Sequence, residues 1–156
     1  MKTLNTQVLD KRLALLESYI PQFETKNNKV SKATIGWQID HSLKVINAVS
    51  ISMLKSDPEM YKNNFSFLGK LFLKMGFFPR GKAKAPKYVQ PPEIILKEDL
   101  INQMVEAKEN IIKIQNLDKN AFFKHPLFGH INTTRVIRFM DTHTNHHIKI
   151  IKNILQ

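Results

Sequence analysis

The chain contains no cysteine, which excludes thiolate ligands, a cysteine nucleophile and a disulfide scaffold. That absence fits a reducing cytosol, and we expect a cytoplasmic protein. No stretch approaches the ~20 consecutive apolar residues needed to cross a bilayer. The opening "MKTLNTQVLDKRLALLESYI" lacks the continuous apolar core of a signal peptide, because Asp10, Lys11, Arg12 and Glu17 interrupt it, so it reads as mature protein. Arginine is scarce, confined to Arg12, Arg80, Arg135 and Arg138, although the formal net charge is +11. Dedicated phosphate readers favour the arginine fork. The excess charge therefore reads as lysine coating polar helix faces, and nucleic acid is not the expected partner. Nor does any series of segments alternate with period two, so no succession of strands is expected.

What the chain does have is helical periodicity over four segments. The first covers about 3–20, with Leu9, Leu13, Leu16 and Ile20 on one stripe and Pro21 after it. The second covers about 32–55, with Ser31 as the expected N-cap and "SDP" closing it. The third covers about 98–116, with Ile101, Met104, Val105, Ile111 and Ile112 as its apolar face. The fourth covers about 133–155, with Asn132 as N-cap. At 156 residues the chain is expected to form one domain, 1–156, of all-α class: a four-helix bundle. The short first link makes helices one and two antiparallel, whereas the link from about 56 to 97 is long enough to leave helices two and three parallel. That crossover carries "FSFLGKLFLKMGFF", an expected extra helix, and then the proline-rich "PRGKAKAPKYVQPPE". The phenylalanine-rich part reads as a cap on the core or a homodimer contact rather than as a membrane-surface helix.

The terminal "DTHTNHHIKIIKNILQ" holds three of the six histidines. Positions 136, 140, 143, 147, 150 and 154 follow the 3, 4 rhythm of one face and read Val136, Met140, His143, His147, Ile150 and Ile154. His143 and His147 thus point inward one turn apart, with His146 at the edge of that face. Buried imidazoles are costly unless their nitrogens find partners, and a metal ion is one solution. His41, one turn after Trp37 in the second helix, faces the core as well. If helices two and four run antiparallel, His41 and His147 lie about 12–14 Å from the same end, a level match that permits a three-histidine site.

The residues that carry this reading resemble the DinB-like (YfiT-like) superfamily of metal-dependent four-helix-bundle proteins. The carriers are "GWQIDHSL" and the terminal "HTNHH". The turn "HPLFG" at 125–129, followed by "INTTRVIRFMDTHTNHH", resembles one subfamily of unknown function. The resemblance implies an up-down-down-up bundle with a long crossover between helices two and three. It also implies a divalent metal held by His41, His143 and His147, and for some relatives transfer chemistry that uses a low-molecular-weight thiol. The chain departs from that subfamily in having Val136 and Ile137 where a tryptophan is common, and lysines and isoleucines where a glutamine often follows the histidines.

Three neutral imidazoles leave the ion its double charge and open positions, the pattern of a catalytic rather than a structural site. Zinc is the default ion, and nickel or iron also suits imidazole. We expect metal-activated thiol or water to attack a small-molecule electrophile. The alternatives are a non-catalytic bundle binding metal or a partner and, behind it, a basic nucleic-acid binder. His146, His125 and Trp37 are candidate supporting or substrate-contacting residues, and Lys82, Lys84 and Lys87 are candidate attractors of an anionic thiol.

Overall fold

The computed structural model describes residues 3–81 and 84–156. The chain is mainly helical. In order it forms α1 (Gln7–Ser18), α2 (Ile35–Lys55), α3 (Phe67–Met75), α4 (Lys97–Lys113), a hairpin of β1 (Phe122–His125) and β2 (Gly129–Asn132), and α5 (Thr133–Ile154). Single 3₁₀ turns at Ile20–Gln22, Pro58–Met60, Lys87–Val89 and Ile114–Asn116 punctuate the connections.

The helices form where spacing and caps agree. In α1, Leu9, Leu13 and Leu16 are fully buried, and Pro21 follows in the 3₁₀ turn that ends the segment. The second helix starts three residues later than expected. Thr34, not Ser31, is its N-cap, with its hydroxyl accepting from the Trp37 amide at 3.1 Å. Ser31 instead accepts from the Ala33 amide, which uses it up in the preceding turn. Ser66 caps α3 by accepting from the Gly69 amide, and Gly76 ends it at φ 73°, a left-handed position that favours glycine. Asn132 is the N-cap of α5 by position, but its side chain makes no capping bond; it accepts instead from the Thr134 hydroxyl at 2.7 Å.

α2 packs on α4 and α5, and α1 packs on the same two helices, so the four long helices enclose one apolar core. The expected face of α4 is only partly correct. Met104 and Ile111 are buried, but the stripe that turns inward runs through Leu100, Ala107 and Ile114, leaving Ile101, Val105 and Ile112 exposed. The same face carries a buried amide pair: Asn110 Nδ2 donates to Asn47 Oδ1 at 3.0 Å, while Asn47 Nδ2 donates to the Gln103 carbonyl.

The chain is also not purely α-helical. The "HPLFG" turn is the tip of an antiparallel hairpin in register Phe122↔Asn132, Phe123↔Ile131, Lys124↔His130 and His125↔Gly129. With four residues per strand, alternation is too short to register against the helical pattern that follows. Gly129 has φ 80°, and an added Cβ would meet the Asn64 carbonyl at 2.6 Å, so the tip requires glycine twice over. The crossover clamps this hairpin. Lys62 N donates to His130 Nδ1, His130 N to Asn64 Oδ1, and Ser66 N to the Phe128 carbonyl. His130 is thereby a structural latch, stacked on Phe122 at 4.2 Å.

Candidate metal centre

Three side chains from two helices meet in the core. α2 contributes His41 and α5 contributes His143 and His147, whose i, i+4 spacing puts them on the inner face with Val136, Met140, Ile150 and Ile154. Ring centroids lie 5.1 Å apart for His41 and His143, 4.8 Å for His41 and His147, and 4.7 Å for His143 and His147. One ligand nitrogen from each falls within 4.8 Å of the other two. Nitrogens sharing a zinc at ~2.0–2.1 Å in tetrahedral geometry sit roughly 3.4 Å apart, so small rotations of the rings complete such a site.

The hydrogen bonds orient the rings. His41 Nδ1–H donates to the Val89 carbonyl at 2.8 Å, since a carbonyl only accepts. His147 Nδ1–H donates to Gln38 Oε1 at 2.7 Å. Both rings therefore present an unprotonated Nε2, the tautomer that outer partners select in metal-ligating histidines. His143 Nδ1 is buried without a hydrogen-bond partner among the described residues. Burial is the main cause that holds the imidazoles neutral. It pushes His143 and His147 well below the usual histidine range, with the neighbouring rings adding to the shift. His41 is lowered as well, burial outweighing the opposing pull of the Val89 carbonyl and Asp40. Three neutral, converging imidazoles with one orphaned nitrogen suit a divalent cation, because lone pairs aimed at one point repel unless a positive charge lies between them.

Among the described residues no carboxylate joins this set. Asp40 is paired with Lys44 at 2.5 Å and accepts from Gln103 at 2.8 Å. Asp141 is held by Arg12 at 2.8 Å and Arg138 at 3.2 Å. Asp40 is next to His41 in sequence and Asp141 is two residues before His143, yet both point away, as helical steps of about 100° and 200° require.

The remaining sequence-derived residues surround the triad at different distances. Trp37 stacks on His41 at 5.2 Å with planes 28° apart, and stays partly exposed. His146 stands edge-on to His147 at 5.0 Å, where burial and the Arg80 charge lower its pKa. His125 lies one layer further out, stacked on Phe128 at 4.2 Å and against Phe139 at 5.4 Å. Lys84 and Lys87 are exposed, and Lys82 lies outside the described residues. No family model, curated protein or solved structure gives a significant match to this chain.

Three contributors escaped sequence reasoning. Gln38 had a faint signal: it precedes His41 by three residues, on a neighbouring part of the same inward-turned helix surface. Val89 and Phe78 had none, because the crossover brings them in over a long sequence separation. Phe78 lies 6.4 Å from His143 and stacks on Phe128 at 6.0 Å, forming part of an aromatic wall beside the triad.

His125 supplies a pH-dependent contribution to stability. Its Nδ1 accepts from the Leu127 and Phe128 amides at 3.1 and 3.2 Å, so protonation there would set a donor against two donors. Burial lowers its pKa from 6.5 to about 4. Because the folded value lies below the unfolded one, the contribution is complete above pH 6.5 and is lost progressively as the pH falls towards about 4. His125→Asn retains a turn acceptor without the titration. Its metal-free melting temperature should start lower, for loss of the stack on Phe128, yet fall less steeply than wild type across that window. Parallel melting curves for the two proteins would refute the assignment.

Proposed function

We propose that this protein is a divalent-metal-dependent enzyme of the DinB-like type, an up-down-down-up four-helix bundle whose long crossover orients one of the metal ligands. The observation that carries the reading is the triangle of His41, His143 and His147, with two of its rings already oriented through Nδ1 by the protein. Support for the topology comes from the packing of α1 and α2 on both α4 and α5, with the Val89 segment laid across His41.

His41, His143 and His147 would hold the ion through neutral nitrogens. Bound there, zinc, nickel or iron supplies Lewis acidity that lowers the pKa of a coordinated water or low-molecular-weight thiol. The chain's own residues set the conditions. Three uncharged ligands leave the ion's charge undiminished, and the buried imidazoles stay unprotonated at neutral pH. Gln38 and the Val89 carbonyl fix ring orientation, while the wall of Phe78, Phe128 and Phe139 keeps water from one side. Trp37 and His146, partly exposed on the other flank, are placed to touch a small electrophile.

The test is metal analysis of untagged protein, together with titration of the single tryptophan. We expect close to one ion per chain, and quenching of Trp37 emission by cobalt or nickel, since its ring lies against His41. Sub-stoichiometric metal that leaves the fluorescence unchanged would sink the proposal. If the ion binds, metal-loaded protein screened with small thiols and electrophiles separates a transferase from a hydrolase, and binding without turnover returns the protein to a non-catalytic role.

Gln38 offers a graded check. Gln38→Leu should weaken metal binding about 10–100-fold by releasing the His147 ring. Gln38→Glu should restore or improve it, because a carboxylate accepts the same Nδ1–H and raises imidazole basicity. Equal affinities in all three proteins would show that Gln38 does not position the ligand.

A further inference from the structure

Between Glu59 and Glu93 the chain carries six lysines and one arginine and no acidic residue. α3 lies within this stretch and packs on the body through Gly69 and Leu73. Its opposite side remains uncovered: Phe67 is 80% exposed, Leu68 46%, Leu71 38% and Met75 45%. On a helical wheel these four fill one continuous arc of about 100°. Lys70 and Lys74 border that arc, one turn apart, on the side facing α5. There they line, with Arg135 and Arg138, a cleft of about 300 Å³ floored by Phe65 and Leu73.

The charges of this cleft are largely unspent. Among the described residues Lys70, Lys74 and Arg135 have no ion-pair partner. Arg135 lies over the Phe65 ring at 4.9 Å, and Arg138 donates to the Leu73 carbonyl while sharing Asp141 with Arg12. An uncovered apolar arc alone names no occupant, but the flanking charge does. A second copy whose α3 packed antiparallel about a twofold axis would set these lysines on one edge with their own counterparts, with no carboxylate anywhere in the segment to answer them. A nucleic acid would neutralise the cations but leave Leu68, Leu71 and Met75 in water, since aliphatic side chains offer bases no stacking platform. A layer of anionic headgroups over acyl chains satisfies both halves of the surface.

We propose that the α3 face is a docking surface for an anionic phospholipid bilayer. α3 lies in the plane of the interface, with Phe67, Leu71 and Met75 entering the acyl boundary and the cleft cations meeting lipid phosphates. The attachment is peripheral, in keeping with the lack of any helix, among the described residues, long and apolar enough to cross a membrane. It is independent of the metal centre.

The test is co-sedimentation of the full chain with vesicles of phosphatidylcholine alone or mixed with phosphatidylglycerol. We expect partition onto the mixed vesicles, weakening as salt is raised, and none onto the neutral ones. Phe67→Ser with Leu71→Ser should lower that partition by about tenfold or more, and so should Lys70→Glu with Lys74→Glu. These side chains are exposed, so circular dichroism and melting should match wild type. Ile101→Ser with Val105→Ser, on the exposed stripe of α4, should leave partition unchanged. Failure to bind, equal binding to both vesicles, or indifference to the Phe67 and Leu71 changes would overturn the proposal. So would complete competition by inorganic phosphate, which would assign the cleft to a free anion. A dimer dispersed by the same serine pair would assign the face to a second copy, and DNA retention abolished only by the lysine changes would assign it to nucleic acid.

Discussion

His147→Ala should reduce zinc affinity on the order of a few hundred-fold and abolish stoichiometric metal in the purified protein. A zinc site built on four protein ligands is worth about 10–16 kcal/mol, so one ligand accounts for about 2.5–4 kcal/mol, and each 1.4 kcal/mol is tenfold in affinity. The loss should exceed that of Gln38→Leu, which leaves the ligand in place and only frees its ring. It should also exceed that of His146→Ala, because His146 stands beside the triad without belonging to it. Thermal unfolding gives a second readout. Wild type held at a zinc concentration a hundred times the dissociation constant gains about 2.7 kcal/mol of stability, and His147→Ala should gain almost none. Comparing the metal-free proteins separates this loss from damage to the fold, since the substitution also leaves Gln38 Oε1 without its donor. If zinc stabilises His147→Ala as strongly as wild type, the triangle is not the metal site.

Phe128→Ala should destabilise the protein by about 3–5 kcal/mol, the range for truncating a buried aromatic. Phe128 is 4% exposed and touches four other rings. His125 stacks on it at 4.2 Å, and Phe65, Phe72 and Phe78 lie 6.3, 6.1 and 6.0 Å away by ring centroid. Those rings come from the hairpin, from α3 and from the chain on either side of α3, so one side chain joins the segments that close this end of the core. For a protein of this size the loss corresponds to a fall in melting temperature of roughly 10 °C. Phe128→Leu keeps most of the apolar volume and should cost about half as much. Urea unfolding distinguishes the cases, and a cost below about 1 kcal/mol for Phe128→Ala would mean that the hairpin tip is not packed as described.

The histidine triangle was legible because α5 is long and strongly patterned. Over 22 residues the 3, 4 rhythm leaves no doubt about which side of the helix is buried, and His143 and His147 stand where isoleucine or methionine would otherwise be. His41 could be added from its height along α2 alone. The rotation of α4 was not legible in the same way. Its sequence carries two overlapping apolar stripes that share Met104 and Ile111, and the one that turns inward, through Leu100, Ala107 and Ile114, also sets Asn110 against Asn47 of α2. Ser31 and Thr34 are both good caps, and the choice rests on where the chain can leave the preceding turn, which holds Ile35 N on the Thr25 carbonyl and Gly36 N on the Phe23 carbonyl. The hairpin at 122–132 was hidden by its brevity.

What the sequence determined by itself is whatever depends on spacing within one segment: the long helices, the short helix in the crossover and the inward direction of three histidines. Tertiary structure decided what those histidines meet. It brought the Val89 carbonyl 48 positions along the chain to His41 and Gln38 Oε1 across 109 positions to His147. It also left the apolar arc of α3 uncovered. The division has one physical cause. Periodicity is a property of the local backbone, whereas a hydrogen-bond partner from a distant segment is chosen by how whole faces pack.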